Sequence, residues 1–466
     1  MNDTNVACNV PIEVLGKIFH LLCTEPISVA PKLRGPIIKF PWAVGRVSRH
    51  WRCAFISYPP IWTSISFFDL WIGQNDCEEV ARRIAIYLER SGEFPLDIRL
   101  KIHMDACPQA WRLIRSFSHR WRTADIDIGT KRFMDDLFAC KAKMPMLESL
   151  TVRGERFGRD RPAHDHESDH KVVVHDLHDD EEDCYDVFET APSLNCLKLR
   201  CGSAIGRWIL PWSQLIKLDV RMSTLFDVPA LLQQLQNIEE LLFTFEGIEA
   251  RIIDNLGLFD GFSVRLEHMR VLQVPFPMIL SWIEAPHLQE IRLGDPDEWF
   301  CEPQSHVEDL VSLIHRSGPS CRIRRLVLRG YDVSVAENII FVLTEVEELH
   351  ICTPAKYTIF RPTAYVYSIL SKLVNGGDHP YLPALRQLTI SLDPKRTLPK
   401  LVKRVSKILK LRWASTAVIV PLESLTIQLY EEFFFDTPPP LPMELVKAKL
   451  KWPSFVNIEF KYASRH

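Results

Sequence analysis

A short spacing of apolar residues recurs along most of the chain and constrains the fold more than any other feature. An apolar residue is followed three positions later by a second and two positions after that by a third. The last two are two residues apart, so both side chains point to one face of a short β-strand. The spacing occurs at Leu147/Leu150/Val152, Leu194/Leu197/Leu199, Leu215/Leu218/Val220, Ile238/Leu241/Phe243, Met269/Leu272/Val274, Leu288/Ile291/Leu293, Ile323/Leu326/Leu328, Val346/Leu349/Ile351, Leu385/Leu388/Ile390, Leu422/Leu425/Ile427 and Phe455/Ile458/Phe460.

A strand of this kind cannot bury its apolar face without equivalent strands beside it. Repeats that each add one short strand therefore stack into a parallel array. The intervals between occurrences run from about 19 to 47 residues. This predicts an irregular solenoid with helices or loops of varying length between the strands. The alternative is a less regular α/β domain in which only part of the array is stacked.

The region just upstream alternates between helix and strand. Residues 76–91 carry a helical apolar stripe, and residues 94–102 alternate between apolar and polar side chains as a strand does. A second helix is predicted at 108–119 and a second strand at 124–128. Because parallel strands are joined by crossovers, this rhythm predicts a parallel sheet.

Two short amphipathic helices are predicted at the N-terminus. Pro11 can occupy the first turn of one helix, because its missing N–H would be unpaired there anyway. Residues 43–55 form the other helix, and Pro59 and Pro60 must end it. Neither helix can bury its apolar face alone, so both need a partner surface inside or outside the chain. The stripe of the first helix, within an arc of about 120°, consists of Ile12, Leu15, Ile18, Phe19 and Leu22.

These N-terminal residues resemble an F-box, in the form found in many fungal, particularly basidiomycete, proteins. The resemblance covers residues 6–66 and rests on Val10-Pro11-x-Glu13, Ile18-Phe19-x-x-Leu22, Val47-x-x-x-Trp51 and Pro59-Pro60-x-Trp62. The chain differs from the family in having Val10 where leucine is usual. It also has a basic, proline-rich insertion at 25–40, which we expect to be a solvated excursion.

The resemblance implies an α/β protein with a small all-α F-box-like unit at 6–66 and an irregular leucine-rich-repeat solenoid at 67–466. It further implies the substrate receptor of a Skp–cullin–F-box ubiquitin ligase. The F-box would dock a Skp-type adaptor, which links to a cullin–RING ligase, and the repeats would bind a protein substrate. The alternative is a repeat-type binding or scaffold protein with a vestigial F-box.

The family's adaptor contacts can be transferred to nine positions of this sequence. Some of them must pack the F-box against itself, and the sequence does not distinguish these from the contact residues. The nine positions are Pro11, Ile12, Leu15, Ile18, Phe19, Val47, Trp51, Pro60 and Trp62.

Substrate-binding candidates are fewer. Trp299 follows directly after the predicted strand at 288–293, where loops border the binding surface of a repeat protein. Lys403 and Lys407 lie on the basic face of an amphipathic helix at 399–413. We expect that helix to be a crossover between strands. The alternatives are that it also binds an acidic or phosphorylated segment, or that it lies on a membrane surface.

Composition and motifs argue against several other functions. The chain has no glycine-rich phosphate loop, nucleophile elbow or zinc-protease motif, so we expect no enzymatic activity and no cofactor. A formal charge of −3 favours neither nucleic acid nor an anionic membrane. Twelve cysteines without a Cys-x-x-Cys pair indicate reduced thiols and a cytoplasmic or nuclear protein. Residues 158–183, rich in His and Asp, are predicted to form a disordered loop without a metal site.

Overall fold

A computed structural model shows two compact units, residues 1–227 and residues 228–466. Each unit is mixed α/β and is built on parallel strands. The structure describes residues 10–22, 27–28, 44–68, 74–102, 107–128, 136–154, 184–201, 205–222, 225–245, 261–294, 305–329, 333–352, 366, 368–371, 373, 381–392, 398–413, 420–431 and 457–464.

The first unit contains a parallel sheet whose strands follow one another in chain order. Its described helices are α1 (Ile12–Leu22), α2 (Arg49–Ser57), α3 (Gln74–Arg90) and α4 (Pro108–Ser116). Its described strands are β1 (Ile27–Ser28), β2 (Ser64–Phe68), β3 (Leu96–Ile102), β4 (Trp121–Ile128), β5 (Ser149–Gly154), β6 (Cys196–Cys201) and β7 (Lys217–Met222).

The core of the first unit consists of two ladders of apolar side chains that cross the sheet. Each ladder takes one residue from each of β2–β7 at paired register positions, and all the members are buried. This is expected where one face of every strand is covered by crossover segments. One ladder is Ile65, Ile98, Ala124, Leu150, Leu197 and Leu218, and the other is Phe67, Leu100, Ile126, Val152, Leu199 and Val220.

The second unit repeats this arrangement over a longer series of strands. Its described helices are α5 (Val228–Gln234), α6 (Ser305–Ser317), α7 (Val333–Val342) and α8 (Leu398–Trp413). Strands β9 (Val264–Arg265) and β11 (Ile283–Glu284) pair separately from the main sheet. The main sheet of this unit contains, in order, β8 (Glu240–Phe245), β10 (Val271–Val274), β12 (Glu290–Leu293), β13 (Arg325–Arg329), β14 (Glu348–Cys352), β15 (Gln387–Leu392), β16 (Ser424–Glu431) and β17 (Asn457–Ser464).

The recurring apolar spacing correctly predicted the positions of the strands. The last two residues of each of the eleven occurrences lie in β5–β8, β10 or β12–β17. In the second unit, paired positions run from Leu272 through Ile291, Leu326, Leu349, Leu388 and Leu425 to Ile458. The coarse prediction is therefore confirmed: the fold is mixed α/β, with short parallel strands separated by helices or loops.

Other features differ from the sequence-based expectations. The segment predicted as one helix at 43–55 contains a 3₁₀ turn, Val44–Arg46, and then α2, because Ser48 caps a separate helix start. Within the 25–40 insertion, Ile27 and Ser28 pair with Ile65 and Ser66 of β2, so this part is not a solvated excursion. Strands β1 and β2 had no counterpart in the prediction.

Some predictions fall outside what the structure describes. The His- and Asp-rich segment at 158–183 and Trp299 are not among the described residues. The domain boundary between residues 66 and 67 stays a prediction. Among the helices of the described residues, none has the length and apolar character needed to cross a membrane.

Candidate functional site

The N-terminal helices form a packed hairpin whose inner face is small. Helix α1 buries Leu15, Gly16 and Phe19. The ring centroids of Phe19 and Trp51 lie 5.2 Å apart, which joins α1 to α2. Helix α2 begins where the Ser48 hydroxyl accepts the N–H of Trp51 at 3.1 Å, a standard N-cap.

A second contact fixes the start of α1. The Nε2 atom of His50 lies 2.8 Å from the carbonyl oxygen of Val10, directly ahead of Pro11. The first turn is closed by the N–H groups of Val14 and Leu15, each 3.1 Å from the Pro11 carbonyl oxygen, and the missing N–H of Pro11 costs no hydrogen bond at this position. The hairpin is therefore held at its N-terminal end as well as through its aromatic core.

Trp62 anchors the hairpin onto the rest of the first unit. It is fully buried, with its ring centroid 4.7 Å from that of Phe55 and 5.0 Å from that of Tyr87 in α3. Its indole N–H donates to the Phe55 carbonyl oxygen at 3.1 Å. The guanidinium carbon of Arg90 lies 4.5 Å from the centre of the ring, a cation–π distance.

Helix α1 also carries apolar side chains that the hairpin does not bury. Seven of its eleven residues are large and apolar, but only Leu15 and Phe19 among these seven are buried. We call the exposed group on the adjoining arc of about 100° the apolar strip. Its members are between 44% and 76% exposed, and they are Val14, Ile18, Leu21 and Leu22.

The structure separates the nine predicted adaptor contacts into three groups. Pro11, Ile12, Ile18 and Val47 are exposed, whereas Trp51 and Pro60 are partly buried. The buried positions are Leu15, Phe19 and Trp62, which pack the hairpin and its anchor. Sequence reasoning did not assign Val14, Leu21 and Leu22 to the site. They could have been identified from the number of large apolar residues in α1. One buried arc of an eleven-residue helix cannot hold all seven, so some of them must be exposed.

The two lysines predicted to bind substrate lie on α8, as expected for an amphipathic crossover. Lys403 and Lys407 are exposed, while Val405, Ile408 and Leu409 face the core. This helix connects β15 to β16. The structure therefore brings the two lysines together on one outward face of the second unit, far along the chain from the apolar strip.

The second unit has a further polar surface, on the strand face opposite its apolar ladders. At the N-terminal ends of the strands, charges are neutralised by ion pairs. Glu290 contacts Arg292 at 2.5 Å and Arg325 at 3.3 Å, and Arg325 also lies 3.4 Å from Glu348. We call this surface the polar face; its residues on β12–β16 are Glu290, Arg292, Arg325, Arg329, Glu348, His350, Cys352, Gln387, Thr389, Ser391, Ser424, Thr426 and Gln428.

A hydrogen-bonded group crosses three strands of the polar face. The Ser391 hydroxyl donates to Oε1 of Gln428 at 2.6 Å. Because this bond uses the only hydroxyl proton of Ser391, the Ser391 oxygen must accept the hydrogen bond from His350. The Nε2 atom of His350 lies 2.7 Å away and therefore carries the proton. Cys352 Sγ lies 3.1 Å from the same nitrogen. Burial, together with the positive charges of the nearby Arg329, Arg325 and Arg292, lowers the pKa of His350 to about 4, so the imidazole is neutral at pH 7.

In the part of the chain that the structure describes, no group of three or more His, Cys, Asp or Glu side chains could hold a metal ion. No protein-family model and no curated protein matches the chain.

Proposed function

We propose that this chain is a non-catalytic substrate receptor of a Skp–cullin–F-box type ubiquitin ligase. Its N-terminal hairpin docks a Skp-type adaptor, and its strand array, made of irregular leucine-rich repeats, holds a protein substrate. The observation that carries the proposal is the apolar strip, an exposed apolar surface on a helix whose inner face is already packed. The same function places the protein in the cytoplasm or the nucleus.

The distribution of exposed apolar side chains supports a docking role for the hairpin. Of the fourteen large apolar residues that are exposed in the described part of the chain, seven lie between Ile12 and Ile56. Apolar surface concentrated in this way is typical of protein-interaction sites. Full burial of one such side chain contributes roughly 1.5–3 kcal/mol. The four residues of the apolar strip could therefore supply a substantial part of a docking free energy, from which the cost of association is subtracted.

The proposed role demands little chemistry from this chain. A receptor acts by raising the effective concentration of a substrate lysine near a separate enzyme. It needs two binding surfaces and no acid, base or nucleophile of its own. The apolar strip and the polar face are two such surfaces with different chemistry.

The test is adaptor capture with a variant of the apolar strip. Full-length protein is used to pull a Skp-type adaptor and cullin from host extract, comparing wild type with Ile18→Asp/Leu21→Asp. These two residues are chosen because they are 44% and 76% exposed, so charge there leaves the packing intact. The matched control is Val311→Asp/Phe341→Asp in the second unit, where the two side chains are 42% and 65% exposed.

The proposal expects wild type and the control variant to capture both proteins and the strip variant to lose them. Equal capture by the strip variant would move the docking surface elsewhere. If folded wild type captures no adaptor, the chain is instead a repeat-type binding or scaffold protein with a vestigial F-box.

A further inference from the structure

Carboxylates are unevenly distributed over the polar face. They lie at the N-terminal ends of the strands, where Glu290 and Glu348 neutralise their arginine neighbours. At the C-terminal ends of the strands, the register brings a row of other side chains together. Arg329 pairs with Cys352, Cys352 with Ser391, and Ser391 with Gln428. We call Arg329, Cys352, Ser391 and Gln428 the C-terminal row; it contains no acidic residue.

Arg329 differs from the other arginines of the polar face in its partner. Its Nη1 atom donates to Oε1 of the neutral Gln273 at 2.9 Å. Among the described residues it has no carboxylate partner, whereas Arg292 and Arg325 each have two. Its side chain is partly buried, and a partly buried charge without a counter-ion is costly. Four guanidinium N–H donors and a full positive charge remain for an external anion.

Gln428 supplies a second donor group at the other end of the row. Because its Oε1 accepts from Ser391, its side-chain NH₂ group faces away from that bond and is a donor. Gln428 is only partly buried. The bond from Ser391, which is itself held by His350, fixes the orientation of this amide before any ligand arrives.

The spacing of the two donor groups suits an extended segment. Arg329 and Gln428 lie on strands three steps apart, and at about 4.8 Å per step their backbones are roughly 14 Å apart. An extended peptide covers this distance in about four residues. The side chains of Cys352 and Ser391 between the two ends are short and buried, so a chain that crosses the row contacts mainly Arg329 and Gln428.

We propose that the C-terminal row binds an extended, carboxylate-bearing segment of a partner protein, with Arg329 gripping an acidic side chain and Gln428 donating to the same segment. A single unneutralised guanidinium matches a monoanionic carboxylate, which it can bind through two parallel hydrogen bonds. Phosphate groups are typically held by clusters of arginines, and the other two here are already paired. The proposal names the substrate class of the strand array and rests on the proposed receptor function for that role.

The electrostatics of His350 provide independent support. All three charges that perturb its pKa are the arginines Arg329, Arg325 and Arg292, and each disfavours the protonated form. Positive charge is therefore present around the centre of the polar face.

The experiment measures binding of a fluorescein-labelled hexaglutamate peptide to the full-length protein by fluorescence polarisation at low salt. Arg329→Gln removes the charge, and Arg329→Lys keeps the charge but loses the planar fork. Arg322→Gln removes an equal charge at an exposed position outside the polar face and is the matched control. The peptide arms are hexaglutamine and a hexaglutamine-based peptide with one phosphoserine. Circular dichroism of each variant establishes that it is folded.

Wild type should bind hexaglutamate and not hexaglutamine. Arg329→Gln should weaken binding about tenfold or more, as expected for loss of charged hydrogen bonds. The affinity of Arg329→Lys should lie between those of wild type and Arg329→Gln. Arg322→Gln should stay within about twofold of wild type. The proposal is overturned if wild type does not bind, if Arg329→Gln binds normally, if Arg322→Gln causes the larger loss, or if the phosphoserine peptide binds more tightly.

The same proteins separate this proposal from the receptor function. Ile18→Asp/Leu21→Asp should bind hexaglutamate like wild type while losing the adaptor. Arg329→Gln should capture the adaptor normally. Failure of one measurement therefore leaves the other proposal standing.

Discussion

Gly16 and Tyr58 approach so closely that a Cβ atom on Gly16 would lie 2.5 Å from two ring carbons of Tyr58. The contact is in the interior of the N-terminal hairpin, where Gly16 is buried on the same face of α1 as Leu15 and Phe19. Glycine is unfavourable inside a helix by roughly 1 kcal/mol relative to alanine. Its presence here allows α1 to lie directly against the tyrosine ring.

Gly16→Ala is expected to destabilise the hairpin by about 1–3 kcal/mol, because overpacking outweighs the gain in helix propensity. Hydrogen exchange of the α1 amides, followed by mass spectrometry, measures the local opening free energy. Gly45→Ala is the control, since a Cβ atom there would lie 3.9 Å from its nearest neighbour, an ordinary contact. Equal protection in the two variants would show that Tyr58 moves aside at little cost.

Trp62→Ala is expected to cost about 3–5 kcal/mol, because it removes a fully buried ring that connects Phe55 to Tyr87. Trp62→Phe keeps an aromatic ring but loses the N–H bond to the Phe55 carbonyl oxygen, so a smaller cost of about 1–2 kcal/mol is expected. Urea unfolding of both variants checks the order. If the two substitutions cost the same, the hydrogen bond rather than the ring packing anchors the hairpin.

Strand positions could be predicted from the sequence because the pattern has a local physical cause. A residue such as Leu349 is buried on one face of its strand wherever the neighbouring strands supply Leu326 and Leu388 at the same register. That requirement imposes the same spacing on each repeat. Strand β1 could not be found in this way, because Ile27 and Ser28 are extended only through pairing with β2, a contact set by tertiary structure.

The candidate sites were predicted less completely than the strands. A helical wheel groups Leu15 with Ile18, yet only Leu15 is buried, because the position of α2 decides which part of the apolar arc is covered. The distinction between Arg325 and Arg329 also depends on partners in other strands, which are distant in sequence. Periodicity gives the face of an element on which a side chain lies, and packing between elements determines whether it is free to bind.

Acidification should destabilise the protein in part through His350. Its pKa is about 4 in the folded protein and near 6.5 when unfolded, so the unfolded chain binds more protons between these values. This contribution to stability is complete above about pH 6.5, is lost as the pH falls, and is exhausted below about pH 4. It amounts to a few kcal/mol at most, at about 1.4 kcal/mol per pH unit.

The charged groups around His350 are Arg292, Arg325 and Arg329, of which the first two are paired with carboxylates. In His350→Gln, the loss of stability between pH 7.5 and pH 5 should be smaller than in wild type. Urea midpoints at both pH values give the comparison, with the exposed His287→Gln as control. An unchanged pH dependence in His350→Gln would mean that the imidazole is more accessible to solvent than the structure indicates.

Asp309 should make the protein less stable as the pH rises, which is the opposite of the effect of His350. Burial of the Asp309 carboxyl group raises its pKa, Arg316 lowers it and Glu308 raises it, with a net value of about 6. Because the folded protein holds this proton more tightly than the unfolded chain, the contribution of Asp309 to stability is complete below about pH 4 and is lost as the pH rises through 6.

Asp309→Asn removes the charge without changing the shape, so it should stabilise the protein at pH 8 by roughly 1 kcal/mol, a figure reduced for its partly exposed position. The gain should nearly disappear at pH 4. Thermal unfolding of wild type, Asp309→Asn and the exposed control Glu345→Gln at both pH values measures it, and a gain equal at the two pH values would show that Asp309 is not protonated in the folded state.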